Sequence, residues 1–214
     1  GAYNLTKVGS STYTLSGTNT YTGDTTISAG TIKLTGSVNA LTDLTIASGA
    51  TLDLQSIQTF ATLDLDGTIS RSAGSSALTI TGASDLGGSI TTSGSQTYSG
   101  AVTLSGGDRI LTGTTVNFGS TLAGGANALT ITGNVDLDGA ATNLSTLSVS
   151  GISNLGADVT TSSTQTYSDA VVLSNDVILT TTDSNITFSS TIDGDGTARD
   201  LTLTLGSGSA SITG

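Results

Sequence analysis

The stretch Thr91–Leu104 reads TTSGSQTYSGAVTL, and sixty-nine residues later Thr160–Leu173 reads TTSSTQTYSDAVVL. The same offset carries Leu78-Thr-Ile-Thr-Gly82 onto Leu147-Ser-Val-Ser-Gly151 and Asp85-Leu-Gly87 onto Asn154-Leu-Gly156. After a slip of one residue, Val116-Asn-Phe118 falls on Ile186-Thr-Phe188. A shorter interval runs through the first part of the chain. ISAGTIKL (27–34) returns as IASGATLDL (46–54), and Tyr13, Ile32 and Leu52, like Leu15, Leu34 and Leu54, stand 19 or 20 residues apart. Similarity at a fixed interval is the signature of a stacked architecture. Since sixty-nine is three times twenty-three, both intervals are read as one coil of about 20 to 23 residues, repeated roughly ten times through a single segment, 1–214, with sub-repeats at 78–146 and 147–214.

Within each unit apolar residues alternate with Thr, Ser or Asp, as in Val102 and Leu104, Val116 and Phe118, Leu129 and Ile131, or Leu201, Leu203 and Leu205. Period two means short strands with one buried face. Each alternation soon meets Gly, Asn or Asp, which supply positive φ or local side-chain caps at corners. Asp66-Gly67, Asp138-Gly139, Asp193-Gly194 and Asp195-Gly196 are hairpin-like, so a meander of hairpins is the structural runner-up. Three short strands and three corners per coil make a parallel β-helix, in which each coil is stabilised by its neighbours. Parity would bury residue 100, yet the second copy has Asp169 there. An unpaired buried carboxylate is costly, so a bend that turns this position to solvent is expected.

Composition agrees. The chain has 43 Thr, 32 Ser, 29 Gly and 16 Asp, and it contains no Glu, Pro, Cys, Met, Trp or His. Thr, Val and Ile favour strands, the good helix formers are nearly absent, and Pro would delete a donor in strands paired on both sides. A charged fraction of 10% with mean hydropathy of +0.18 lies far from the composition of disordered chains. Without His or Cys there is no Ser-His-Asp triad, thiol nucleophile or ordinary zinc site. Five basic residues and a net charge of -11 argue against nucleic acid and anionic membranes as partners. No run approaches the ~18 apolar residues of a membrane helix. The first ten residues have no signal-peptide pattern and the last five stop within a strand-like pattern, so the chain is expected to be a section of a longer protein.

Asn19-Thr-Tyr-Thr-Gly23, followed by Thr25-Thr-Ile27, Ala29-Gly-Thr-Ile32 and Leu34, resembles the passenger-associated transport repeat of autotransporter proteins. Gln-Thr-Tyr-Ser-Gly/Asp-Ala-Val at 96–102 and 165–171 resembles repeats of filamentous-haemagglutinin-type giant adhesins. The resemblance implies a right-handed β-helical stalk exported across the outer membrane of a Gram-negative cell, by an autotransporter or two-partner route, and displayed or released. Neither a translocator barrel nor an Arg-Gly-Asp motif is present.

Candidate sites are weighed against plainer readings. Asp64-x-Asp66-Gly67, Asp136-x-Asp138-Gly139 and Asp193-Gly-Asp195-Gly with Asp200 offer hard oxygen donors. None has an EF-hand or nonapeptide spacing, and turn-forming Asp on a solvated corner is the expectation. Paired carboxylates serve polysaccharide-cleaving β-helices, but no long insertion here walls a cleft, so no catalytic residue, metal or cofactor is assigned. Thr79/Thr81, Thr130/Thr132 and Thr202/Thr204 place hydroxyl pairs outward, as on ice-binding faces. Ice recognition needs such pairs on successive coils, and along the sequence they recur irregularly. Asn4, Asn143 and Asn185 begin glycosylation sequons that carry no weight at this Ser/Thr content. Tyr98 with Phe118, and Tyr167 with Phe188, fit stacked core aromatics. The function expected is an extracellular stalk or adhesin spacer, binding surface glycans or matrix polymers by shallow polar contacts; the alternative is a subunit that stacks end to end into a filament.

Overall fold

The computed structural model describes residues 1–213 and contains twenty-eight strands and, among those residues, no helix. All strand pairings between named strands are parallel. The chain is a β-solenoid of about ten turns, as the repeats require, and the hairpin meander is ruled out. Its first face is an eleven-stranded ladder that starts with Leu5–Lys7, Thr25–Ile27 and Leu44–Ile46 and ends with Leu201–Thr204. The second face starts with Thr12–Leu15, Thr31–Leu34 and Thr51–Leu54 and ends with Ala210–Ile212. The third becomes a strand ladder only from Ile57–Phe60 onward. Two long strands, Arg109–Phe118 and Leu129–Leu137, run through a corner and belong to the second and third faces together, which joins these into one seventeen-stranded sheet.

Register along the first face runs Leu5, Thr25, Leu44, Leu63, Ser84, Val102, Leu122, Ala141, Val159, Leu179, Leu203. Measured along this face, a coil therefore takes from 18 residues (Ser84 to Val102) to 24 (Leu179 to Leu203). This changes the meaning of the sixty-nine-residue repeat. Gln96 stands on the third face and reaches Ser153 through Val116 and Val135, three coils on. Gln165 lies a further two faces along, beside Leu147 and Ile186 on the second face. The repeat is three coils and two faces, so its two copies occupy different faces rather than superposing after whole coils. All three faces bury the same alternation against one interior, and a block of strand-and-corner units can move from face to face without losing its core.

Inward side chains stack in columns along the ladders, and one column on each of two faces is apolar and buried through the inner coils. On the third it is Phe60, Ile80, Tyr98, Phe118, Leu137 and Leu155; on the second, Ile32, Leu52, Ile69, Ile90, Leu111, Ile131, Val149, Tyr167 and Phe188, all buried. Each such side chain contributes roughly 1.5–3 kcal/mol by leaving water, but only where a coil above and below closes it off. Tyr98 stacks on Phe118 with ring centroids 5.5 Å apart, and Tyr167 on Phe188 at 5.3 Å, as expected of core aromatics.

The interior is not wholly apolar. Gln96 is fully buried, and its Nε2 donates to the Thr112 carbonyl at 2.9 Å, while Oε1 accepts from Tyr98 Oη at 3.0 Å. Gln165 repeats this on its own face, donating to the Thr180 carbonyl at 2.9 Å and accepting from Tyr167 Oη at 3.0 Å. A related buried Gln stands outside the sixty-nine-residue repeat. In Gln58-Thr-Phe60 the buried amide donates to the Gly36 carbonyl at 2.7 Å and accepts from the Val38 amide at 3.1 Å, fixing the strandless third-face segment of the coil before it.

Candidate functional surface

The acidic candidates are corner and ladder groups. Asp136 accepts from Asn117 Nδ2 at 2.8 Å and from Asn154 Nδ2 at 2.9 Å, in an Asn-Asp-Asn column on the third face. Asp195 pairs with Arg199 at 2.8 Å, and the Asp200 amide donates to Asp176 Oδ1 at 3.0 Å. Asp64 and Asp85 are cross-strand neighbours on the first face, where partial desolvation, then the charges of Asp66 and Asp85, push the Asp64 carboxyl above the usual range. Among the described residues no three acids are arranged to hold a metal ion. Asp169 is exposed and accepts from the Ala170 amide at 2.7 Å, so the bend expected there is present.

Many Asp and Asn side chains share one task that composition does not reveal. Each accepts a backbone N–H one coil later: Asn4 from Asp24, Asp108 from Ala128, Asn134 from Ile152, Asp158 from Ile178, Asp183 from Ser207 and Asn185 from Ser209, all at 2.8–3.0 Å. Two of the three sequon asparagines are thus engaged in holding coil to coil; the third, Asn143, sits at a corner with φ of 53°.

The three Thr-x-Thr pairs fall on three faces: Thr79/Thr81 on the third, Thr130/Thr132 on the second and Thr202/Thr204 on the first. They form no common array. The second face nevertheless carries one that the sequence conceals. Its outward residues stack in two columns. The first runs Thr12, Thr31, Thr51, Thr68, Ser89, Ile110, Thr130, Ser148, Thr166, Thr187, Ser211. The second, two residues further along each strand, runs Thr14, Lys33, Asp53, Ser70, Thr91, Thr112, Thr132, Ser150, Ser168, Ser189, Thr213. Ten of eleven positions in one column and nine of eleven in the other are hydroxyl residues, so the pairs do recur on successive coils. Irregular steps of 17 residues (Thr51 to Thr68) to 24 (Thr187 to Ser211), and exchange of Ser for Thr, hide this from a one-dimensional reading.

Among the described residues only Ser89, Ser150 and Thr213 of these nineteen use the hydroxyl in a hydrogen bond within the chain. The two charges on the face, Lys33 and Asp53, are cross-strand neighbours. By contrast, the third face has Asn117, Asp136, Asn154, Val172 and Asp193 in register outward, and the single outward column of the first face is broken by Asp64 and Asp85.

At the first coil a cavity of about 350 Å³ is lined by residues including Leu5, Lys7, Val8 and Tyr13. Lys7 is spent on the corner: its Nζ donates to the carbonyls of Val8, Gly9 and Ala29 at 3.0, 2.6 and 3.1 Å. In the first coil the third face is the segment Asn19-Thr-Tyr-Thr-Gly23 instead of a strand. Asn19 Nδ2 donates to the Ser37 carbonyl of the next coil at 3.0 Å, and Tyr21 Oη lies 2.7 Å from Thr25 Oγ1. No curated protein and no solved structure matches the chain. Residues 5–34, which hold the first two strands of the first face, the first two of the second and this connecting segment, match the family model described as Passenger-associated-transport-repeat.

Proposed function

We propose that the chain is a stalk segment of an exported passenger: a rigid, non-catalytic rod that stands at a Gram-negative cell surface or is released from it. The observation that carries this reading is the repeat match at 5–34, which covers strands whose ladders continue to the last coil. At about 4.8 Å per coil, ten coils give reach of about 50 Å, and a polar exterior with Asp and Asn acceptors at several corners suits a surface in water. Adhesion, in this reading, is by shallow polar contact with glycans or matrix polymers. The test is surface labelling of the parent protein on cells that make it. Antibody against this segment should bind intact cells, and labelling only after lysis would contradict export.

A second reading, end-to-end self-assembly, is favoured by the terminal coils, where Tyr13 and Ile212 lie half or more exposed in columns that are buried elsewhere. An unpaired solenoid end is a template for another coil, from the same chain or from a second copy. Electron microscopy of the purified chain separates the two: concentration-dependent fibres one coil wide support assembly, and short rods of uniform length contradict it.

A further inference from the structure

We infer that the outward side of the second face is an ice-binding surface. Three separate observations meet there. The first is geometric. Adjacent coils place column neighbours such as Thr130, Ser148, Thr166 and Thr187 about 4.8 Å apart, and the two residues of each pair are about 6.6 Å apart along the strand. The coil rise is close to the shorter oxygen repeat on the faces of hexagonal ice, so successive hydroxyls meet successive lattice waters instead of drifting out of phase. The stiff χ1 of Thr keeps hydroxyl and methyl in fixed directions.

The second observation is availability. Among the described residues, sixteen of the nineteen hydroxyls of the array, all but Ser89, Ser150 and Thr213, have no hydrogen-bond partner within the chain, whereas Ser and Thr elsewhere, such as Ser56, Thr92 and Thr161, are consumed by backbone carbonyls. The third is charge. The chain is strongly acidic, yet this face bears a single carboxylate, Asp53, beside Lys33, and both stand near one end of the array. A neutral face of ordered hydroxyls complements a neutral, hydroxylated, periodic partner. A crystalline polysaccharide is also of that kind, but none of the outward positions on this face holds an aromatic ring to lie against sugar C–H faces. The inference stands whether or not the chain is exported.

The test uses the purified 214-residue chain. It should partition into a slowly growing ice front, give thermal hysteresis and shape ice crystals. Thr130→Tyr and Thr166→Tyr, which raise bulk in the middle of the array, should each remove most of the hysteresis while melting temperature stays near that of the unmodified chain. Thr97→Tyr, on the outward side of the third face, should leave hysteresis unchanged. Absence of hysteresis and of ice partition would overturn the inference, as would equal loss from Thr97→Tyr. Retention on crystalline cellulose or chitin without ice activity would overturn it too, and would assign the face to a glycan lattice.

Discussion

Gln96 shows how a polar residue earns a place in this interior. Its amide donates to one carbonyl and its oxygen accepts from Tyr98, so neither buried group is left unpaired. Gln96→Leu is expected to lower unfolding free energy by roughly 1–3 kcal/mol, because the Tyr98 hydroxyl loses its partner. Adding Tyr98→Phe should recover part of that loss in urea titration; a double variant no better than the sum of the singles would show that the pair is not coupled. The carboxylates give opposite signs of pH dependence. For Asp64, desolvation and then the neighbouring Asp66 and Asp85 raise the folded pKa, so its ionised form costs stability at neutral pH and the cost disappears as pH falls through the raised value. Asp64→Asn should therefore stabilise at pH 7, by up to about 1 kcal/mol as for a cross-strand like-charge pair, and do nothing at pH 3. For Asp53 desolvation works against ionisation, but hydrogen bonds from Ser72 and Gln55, with the charge of Lys33, outweigh it and hold the carboxyl below its usual range. Asp53→Asn should cost stability at pH 7, and that cost should fade as pH drops below about 4.

At the scale of elements, strand and corner were legible and their assignment to faces was not. Alternation in pairs such as Val102 and Leu104 marks a half-buried strand wherever it sits; Val102, Leu104, Val116, Phe118, Leu129 and Ile131 are buried as read, whereas Leu201, Leu203 and Leu205 in the last coils are only partly buried. What the sequence lacks is a phase marker, since each coil spends a variable number of residues on its corners. Sixty-nine therefore looked like three equal coils when it spans eleven strand segments, and the two-column hydroxyl face could not be assembled from three Thr-x-Thr pairs that belong to three different ladders. Gln58 lacks the Gln-Thr-Tyr signature that marks Gln96 and Gln165, because the aromatic residue two places on is Phe60. Corners have their own constraint in Gly133, with φ of 130° and a position where a Cβ would run into the Gly113 carbonyl. Gly133→Ala should destabilise by about 1–3 kcal/mol, read as a lower urea midpoint; an unchanged midpoint would mean that this corner relaxes freely.

For the whole molecule, composition becomes a consequence of stacking. The acidic excess reads at first as solubility for a rod, yet Asp108, Asp158 and Asp183 each hold an amide of the next coil. Fold and functional surface both depend on register: the inward columns exist, and the hydroxyls align outward, only if each strand sits beside its counterpart one coil away. Disulfide trapping reads that register directly, in a chain with no cysteine of its own. Ser148→Cys with Thr166→Cys, and Thr166→Cys with Thr187→Cys, join register partners one coil apart, about 4.8 Å and within disulfide reach. Thr130→Cys with Thr166→Cys spans two coils, about 9.6 Å and out of reach. Closure of both one-coil pairs under mild oxidation, with the two-coil pair remaining free, is the result predicted; failure of the one-coil pairs, or closure of the two-coil pair, would contradict the stacked register.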